Sequence, residues 1–339
     1  MLVVKRYLKS ILQIELGDLM YLNLPEWKIA LDTSDKNVQL NFVSHAHADH
    51  IRGAKPDARV IASDETSKLI RARNGVDLSL LPVPSGFKLL DAGHILGSKQ
   101  LFIESSLGYS ILYTGDFQLQ ESCVAKKIEA KEADILIIDS TYPYLNVKFD
   151  ERSEVEDAIR KYTLMKLEKG IVLFGAYSLG KAQELIKILN NASIIPVVDK
   201  KISKVNKVYN SFGMGLEYAS IYDDEEAFNK IVKHNFVGVV SLKDLKELAE
   251  KMSIAYNKRV FTGVATGFAK LFRFNTDVQF PLSDHADIYQ AASYIDLVGA
   301  KVVYTYGSNQ KLMASNLKKL GYEAMPLSEA KELAVEIAH

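Results

Sequence analysis

The sequence holds one cysteine, Cys123, among 339 residues. No internal disulfide can form, which fits a reducing compartment. No apolar run is long enough to cross a bilayer, so the membrane-spanning classes fall away. The start, Met1-Leu2-Val3-Val4, meets Lys5, Arg6 and Lys9 too soon for a signal-peptide core. A cytoplasmic protein without a membrane partner is expected. Net charge is missing too, because 42 basic residues balance 42 acidic ones. Overall charge therefore argues neither for nor against nucleic acid, and only a local patch can. Repeats and low-complexity tracts are absent. What remains is 48% hydrophobic and 25% charged, the composition of a globular protein. The length exceeds one ordinary core, so two domains are expected.

Histidine is scarce as well, seven in all, and it is unevenly placed. His45-Ala46-His47-Ala48-Asp49-His50 holds three imidazoles and a carboxylate behind an apolar, strand-like segment, Val38 to Val43. Imidazole nitrogen and carboxylate oxygen suit zinc and similar metals. In an extended segment residues i and i+2 point the same way, so His45 and His47 can grip one ion. A turn after Ala48 lets Asp49 and His50 face a second. The alternative is a His-rich surface loop.

Short strands are expected over Ser10–Leu16, Met20–Leu22, Lys28–Asp32, Gln39–Ser44 and Arg59–Ser63. A helix follows over Asp64–Arg73, capped by Ser63 or Asp64. Strands resume at Lys88–Leu90, Gln100–Glu104, Tyr109–Tyr113 and Asp134–Ile138, the last apolar on both faces. After Pro143 the texture changes. A long amphipathic helix, Glu151–Lys169, opens a region where strands and helices alternate to about Val278. That alternation predicts a parallel sheet with helices on its faces. One more unit closes the chain: a helix Ala286–Leu297, a strand Lys301–Thr305, and a helix Asn309–Leu320 ended by Gly321. The middle region therefore reads as an insertion, with segments 1–150, 151–280 and 281–339.

Four further polar residues stand at conspicuous places. His94 lies between Gly93 and Gly97, which let the backbone bend toward a site. Asp116 follows the strand Ser110–Tyr113, and Asp139 ends Ile137-Ile138-Asp139. His285 lies in Ser283-Asp284-His285-Ala286-Asp287. Each alone can be a turn or helix cap. Together with the first cluster they use all the histidines except His234 and His339, which read as surface residues.

These motifs resemble a known family. His45-Ala46-His47-Ala48-Asp49-His50, Gly93-His94 and Gly115-Asp116 match the metal motifs of the metallo-β-lactamase fold. Asp32 matches the second-shell Asp that precedes them. Asp139-Ser140-Thr141-Tyr142, Gly175-Ala176-Tyr177-Ser178-Leu179-Gly180-Lys181-Ala182-Gln183-Glu184 and Ser283-Asp284-His285-Ala286-Asp287 narrow the match to the β-CASP nucleases. The resemblance covers nearly the whole chain and looks most like the compact prokaryotic exonucleases. It implies an α/β fold: a four-layered αβ/βα sandwich with an inserted parallel α/β domain. It also implies a zinc-dependent phosphodiesterase acting on RNA or single-stranded DNA, by attack of a zinc-bound hydroxide. One ion would take His45, His47 and His94, a second Asp49 and His50, with Asp116 bridging and Asp32 orienting an imidazole. Two metals about 3.5–4 Å apart can clamp both oxygens of a displacement at phosphorus. Catalytic roles fall on Asp49, on His285 as general acid, and on Asp139 as its support. The alternatives are a nucleic-acid-binding relative with impaired catalysis, and a small-molecule hydrolase of the same fold.

Substrate contact is expected at Ser178 and Lys181. Ser178 would cap a helix running to Asn190, whose free N–H groups suit a phosphate; a capped core helix explains it equally. Lys200, Lys201, Lys204 and Lys207 can track a nucleic-acid backbone or form a solvated helix face. One departure stands out. Where many members carry Thr-His-Gly, with His on the second metal, this chain has Thr305-Tyr306-Gly307. A neutral phenol is a poor zinc ligand. One tight zinc and a second, weaker site open to Mn2+ follow. Artemis-like DNA nucleases also lack this His, which leans the reading toward DNA. Oligomeric state is open, a homodimer included.

Overall fold

A computed structural model of the chain describes residues 14–15, 19–24, 26–33, 37–106 and 108–330. These divide into two compact units. The first comprises Met1–Leu119, Lys126–Lys148 and His285–His339; the second comprises Gln120–Ala125 and Phe149–Asp284. The short piece 120–125 goes with the second unit for a visible reason. Gln120 donates to the Asp150 carbonyl and Ser122 to Glu184.

The first unit holds two sheets. One has the order β1 (Ile14–Glu15), β2 (Leu19–Asn23), β3 (Lys28–Leu31), β4 (Leu40–Phe42), β5 (Val60–Ile61). The first two pairings are antiparallel and the last two parallel. The other contains β6 (Phe87–Asp91), β7 (Lys99–Glu104), β8 (Ser110–Tyr113), β9 (Ile135–Asp139), β15 (Val302–Tyr306) and β16 (Ala324–Pro326). Its order is β16-β15-β9-β8-β7-β6, with β8, β9, β15 and β16 mutually parallel. Side chains alternate across these strands as the pleat requires. Ile135 and Ile137 of β9 join Leu31 and Phe42 in one core, between the sheets. Leu136 and Ile138 join the opposite core. There the helices α7 (Ile288–Val298) and α8 (Gln310–Lys319) bury Ile288, Ile295 and Leu317. Helix α1 (Asp64–Asn74) starts at Ser63, whose hydroxyl accepts from the Thr66 N–H, and ends on Gly75 at φ 72°.

The second unit is one parallel sheet in the order β11-β12-β10-β13-β14. Its strands are β10 (Ile171–Ala176), β11 (Val197–Val198), β12 (Val237–Ser241), β13 (Val260–Ala265) and β14 (Val278–Phe280). Its helices are α2 (Arg152–Leu167), α3 (Lys181–Asn190), α4 (Lys200–Ser211), α5 (Glu225–Val232) and α6 (Leu245–Tyr256). The apolar stripe of α3, with Ala182, Leu185, Ile186 and Leu189, is buried.

Several expectations need correction. Helix α3 does not start at Ser178. Residues 178–180 form a turn, and Gly180, at φ 89°, is the N-cap. Gln183 locks that turn: its side chain accepts from the Gly180 N–H and donates to the Ser178 carbonyl. Strand β11 is only two residues long, since Asp199 just after it already caps α4, accepting from the N–H groups of Lys201 and Ile202. Helix α5 is an addition to the expected elements, and it buries none of its residues fully. The expected strand Ser10–Leu16 lies mostly outside the described residues, as does His339. Among the described residues no helix is long and apolar enough to cross a membrane.

Candidate metal centre

In the first unit the site is assembled at strand ends. β3 delivers Asp32, β4 delivers Ser44 and the histidines after it, β8 delivers Asp116, and β9 and β15 end on Asp139 and Tyr306. Parallel neighbours put their C-terminal ends on one edge, where open α/β sheets bind ligands. His45 and His47 are not on an extended strand, as expected from their spacing. The strand stops at Phe42 and the chain bends at Ala46. The Arg73 guanidinium donates to the Ala46 carbonyl at 2.5 Å and holds that bend.

The bend makes the ring nitrogens converge. His47 Nδ1 lies 3.0 Å from His45 Nε2 and 3.0 Å from His94 Nε2. One oxygen of Asp116, Oδ2, faces the rings: 3.3 Å to His50 Nε2, 3.5 Å to His45 Nε2, 3.8 Å to His94 Nε2 and 4.0 Å to His285 Nε2. His45, His47, His94 and Asp116 therefore each offer a ligand atom within 4.8 Å of the others. A tetrahedral zinc with bonds of about 2.0–2.1 Å sets its ligands roughly 3.3 Å apart. This donor set fits that ion. The protonation state of His45 agrees. Burial, helped by His50, His94 and His47, holds His45 well below the usual histidine range, so its ring is neutral and has a nitrogen lone pair to offer an ion. Burial acts against the charges on His50 and Asp116, but their mutual attraction outweighs it, aided by Asp32 and His285 respectively. His50 is held well above its usual range and Asp116 well below, so without an ion the two form a charged pair, and His50 must give up its Nε2 proton before it can serve as a ligand.

Support comes from behind. Asp32, at φ 52° in the left-handed region, accepts from Ser44 N and Oγ, both at 2.6 Å, and from Tyr113 Oη and His50 Nδ1, both at 2.8 Å. The imidazole it orients is thus His50. Ser44 Oγ also lies 2.9 Å from His45 Nδ1. Asp49 is the outlying member. Its carboxylate is 76% exposed, with Oδ2 3.7 Å from His50 Nε2. Gly93 and Gly97, both at φ 78°, carry His94 around a turn too tight for other residues. A Cβ on Gly93 would meet the Gln118 carbonyl oxygen at 2.1 Å, and one on Gly97 the Glu65 Cβ at 2.5 Å.

A second group lies beside the first. His285 Nδ1 is 3.1 Å from Asp139 Oδ2, while Thr141 N and Oγ1 hold the other oxygen of Asp139 at 3.0 and 2.9 Å. Gln118 donates to the His285 carbonyl at 2.7 Å. Asp116, Asp139 and His285 also form a donor group of metal-binding spacing. Asp287 is the N-cap of α7 in a capping box with Gln290. Tyr306, in the place of the expected ligand, is 3.4 Å from Asp116 Oδ1.

The expected substrate contacts fare differently. Lys181 is 1% exposed; its ammonium meets Glu184 at 2.8 Å and Asp284 at 3.5 Å within the second unit. Burial pulls its pKa down to about 8. Ser178 is in the turn before α3. Lys200, Lys201, Lys204 and Lys207 are exposed on α4, with Lys207 paired to Asp223. Sequence reasoning missed Ser44, Arg73, Tyr113 and Gln118. Nothing but nearness in the chain marked Ser44, Tyr113 and Gln118, and Arg73 carried no signal at all.

A scan against protein-family models finds no match. Individual proteins do match. A "Probable DNA ligase" of Opitutus terrae is 28% identical over 309 residues, covering 88% of this chain and 29% of that protein. A "Probable RNase MJ4" of Methanocaldococcus jannaschii is 28% identical over 60% of this chain and 56% of its own length. An "RNase J-like protein" of the same organism is 30% identical over 46% of this chain and 44% of its own. The chain thus spans less than two thirds of each of these relatives.

Proposed function

The chain belongs to the β-CASP nucleases of the metallo-β-lactamase superfamily, and on that premise we propose that it hydrolyses phosphodiester bonds of RNA or single-stranded DNA with zinc held at the histidine cluster. One observation carries this reading: His45, His47, His94 and Asp116 converge within 4.8 Å while buried or nearly so. A buried cluster of acceptors is costly unless a cation is shared among them. The first unit is read as the four-layered αβ/βα sandwich and the second as the inserted domain.

Zinc at the cluster supplies a nucleophile from water near neutral pH and positive charge for the phosphodiester. The chain's own groups do the rest. His45, His47 and His94 hold the first ion with Asp116. His50, Asp49 and Asp116 hold the second, which is weaker because Tyr306 adds no ligand; Mn2+ can serve there. Asp139 fixes the His285 ring through Nδ1, which leaves Nε2 to carry a proton to the departing sugar oxygen. The named relatives include RNases and a DNA ligase, so both nucleic acids belong in the test. Labelled single strands of each are incubated with protein purified without added metal, and products are sized on a gel. Cleavage that disappears on chelation and returns with zinc or Mn2+ is expected, with zinc found by elemental analysis. Full cleavage by a metal-free preparation, or no cleavage of either strand by the zinc-loaded one, overturns the reading.

A further inference from the structure

The two oxygens of Asp116 have different neighbours. Oδ2 faces four imidazoles, whereas Oδ1 lies 3.4 Å from the hydroxyl of Tyr306. Tyr306 also hydrogen-bonds Tyr113, and the two rings pack with centroids 5.0 Å apart. Tyr113 in turn donates to Asp32 Oδ2, the oxygen that holds His50 Nδ1. Two phenols therefore reach both protein groups assigned most firmly to the second ion, Asp116 directly and His50 through Asp32.

The backbone fixes Tyr306 where it stands. Tyr306 pairs with Asp139 across the parallel strands β15 and β9. The Ser140 hydroxyl donates to the Tyr306 carbonyl. The ring closes the core between the sheets, against Tyr113. Each phenol has one proton: that of Tyr113 goes to Asp32, and that of Tyr306 is shared between Asp116 Oδ1 and the Tyr113 oxygen. A carboxylate that bridges must present one oxygen in a fixed direction, and a donor on the other oxygen sets that direction.

We propose that Tyr306 and Tyr113 form a phenolic brace: positioning residues whose hydroxyls orient Asp116 and, through Asp32, His50 for the second ion. The brace rests on the metal reading above and goes beyond it, because it gives Tyr306 a role other than that of an absent ligand. A ring that merely packs would do as well without its hydroxyl.

Zinc titrated into metal-free protein, with bound and free metal separated and counted, tests this. The unmodified chain takes up two equivalents, the first tighter than the second. Tyr306→Phe keeps the ring and removes the donor. The second equivalent weakens by about 10–100-fold, the usual effect of losing an outer-shell partner, while the first changes little. Tyr113→Phe weakens the second equivalent in the same direction. The double variant loses less than the product of the two, because both act through one network. Tyr306→His places an imidazole beside Asp116 and tightens the second equivalent. A Tyr306→Phe protein that binds its second zinc within about threefold of the unmodified chain overturns the brace. Failure of the unmodified chain to bind any zinc instead overturns the metal reading itself, and the two failures are distinct.

Discussion

Removing the Asp32 carboxylate should cost the first unit about 4 kcal/mol, and the number follows from its four donors. Asp32 is 8% exposed, so water replaces little of what is lost. Ser44 Oγ keeps another partner in His45 Nδ1, and Tyr113 keeps Tyr306. Ser44 N and His50 Nδ1 have no second acceptor among the bonds described. In Asp32→Ala these two are orphaned in a buried place, at about 1–3 kcal/mol each, and two weaker losses add to them. Part of the loss is returned by relaxation, which leaves roughly 3–5 kcal/mol. Asp32→Asn separates charge from geometry. Oδ2 takes three donors and Oδ1 takes one, the Ser44 N–H. The amide must then turn its own NH2 against that N–H, so only one bond becomes a clash, at about 1–2 kcal/mol. The order of stability is therefore wild type, Asn, Ala. The assay is urea unfolding of metal-free protein followed by the fluorescence of Trp27. It is the sole tryptophan and packs on Phe87, with ring centroids 5.6 Å apart, in the first unit. An Asp32→Ala protein within about 1 kcal/mol of wild type would refute the reasoning, as would Asn falling below Ala.

Two further outcomes are expected. His285→Ala slows phosphodiester cleavage by about 10²–10⁴-fold, the range for losing a general acid, and leaves zinc content unchanged by elemental analysis; loss of metal would make His285 a ligand instead. Lys181→Met strips a buried ammonium from Glu184 and Asp284. It lowers unfolding free energy by about 1–3 kcal/mol, less than for a fully stranded charge because Arg152 still pairs with Glu184, and substrate affinity at low temperature, where the variant is folded, is unchanged; weaker binding there would support a contact role for Lys181.

How much of this was legible in the residues depended on residue type. Histidine is rare and chemically specific, so His45, His47, His50, His94 and His285 could be picked out without a fold. Serine, tyrosine and arginine are common, and their roles here come from long-range contacts. Tyr113 meets Asp32 across 81 positions and Arg73 meets Ala46 across 27. No periodicity encodes such a pairing. The strands were legible where both faces are apolar, as in Ile135–Asp139, and their ends were less so. Gln39–Ser44 overshoots the strand Leu40–Phe42 by one residue at its start and two at its end, where Val43 and Ser44 still suit a strand. At Lys181 the residue type could not show its pairing: its ammonium is buried against Glu184, one helical turn on, and Asp284.

Strand ends also explain why the centre is held so tightly. β8 and β9 are buried on both faces, with Ile111, Tyr113, Ile135 and Ile137 turned to one core and Leu112, Leu136 and Ile138 to the other. A one-residue slip of β9 would send every one of these side chains to the wrong face. It would also move Asp139 out of register with Tyr306, its partner across the sheet. Register, which the cores enforce, therefore sets the distance between the group that holds His285 and the group that touches Asp116. The same logic applies to β3 and β4. Leu31 pairs with Phe42, both fully buried, and the residues just beyond them are Asp32 and, two further on, Ser44. Their hydrogen bonds at 2.6 Å need no flexible search, because the sheet has already brought the two chains together. The candidate metal ligands sit on loops, but the loops leave from fixed points. Among the ligands proposed for the second ion, Asp49 has the least support behind it, because its carboxylate is mostly exposed.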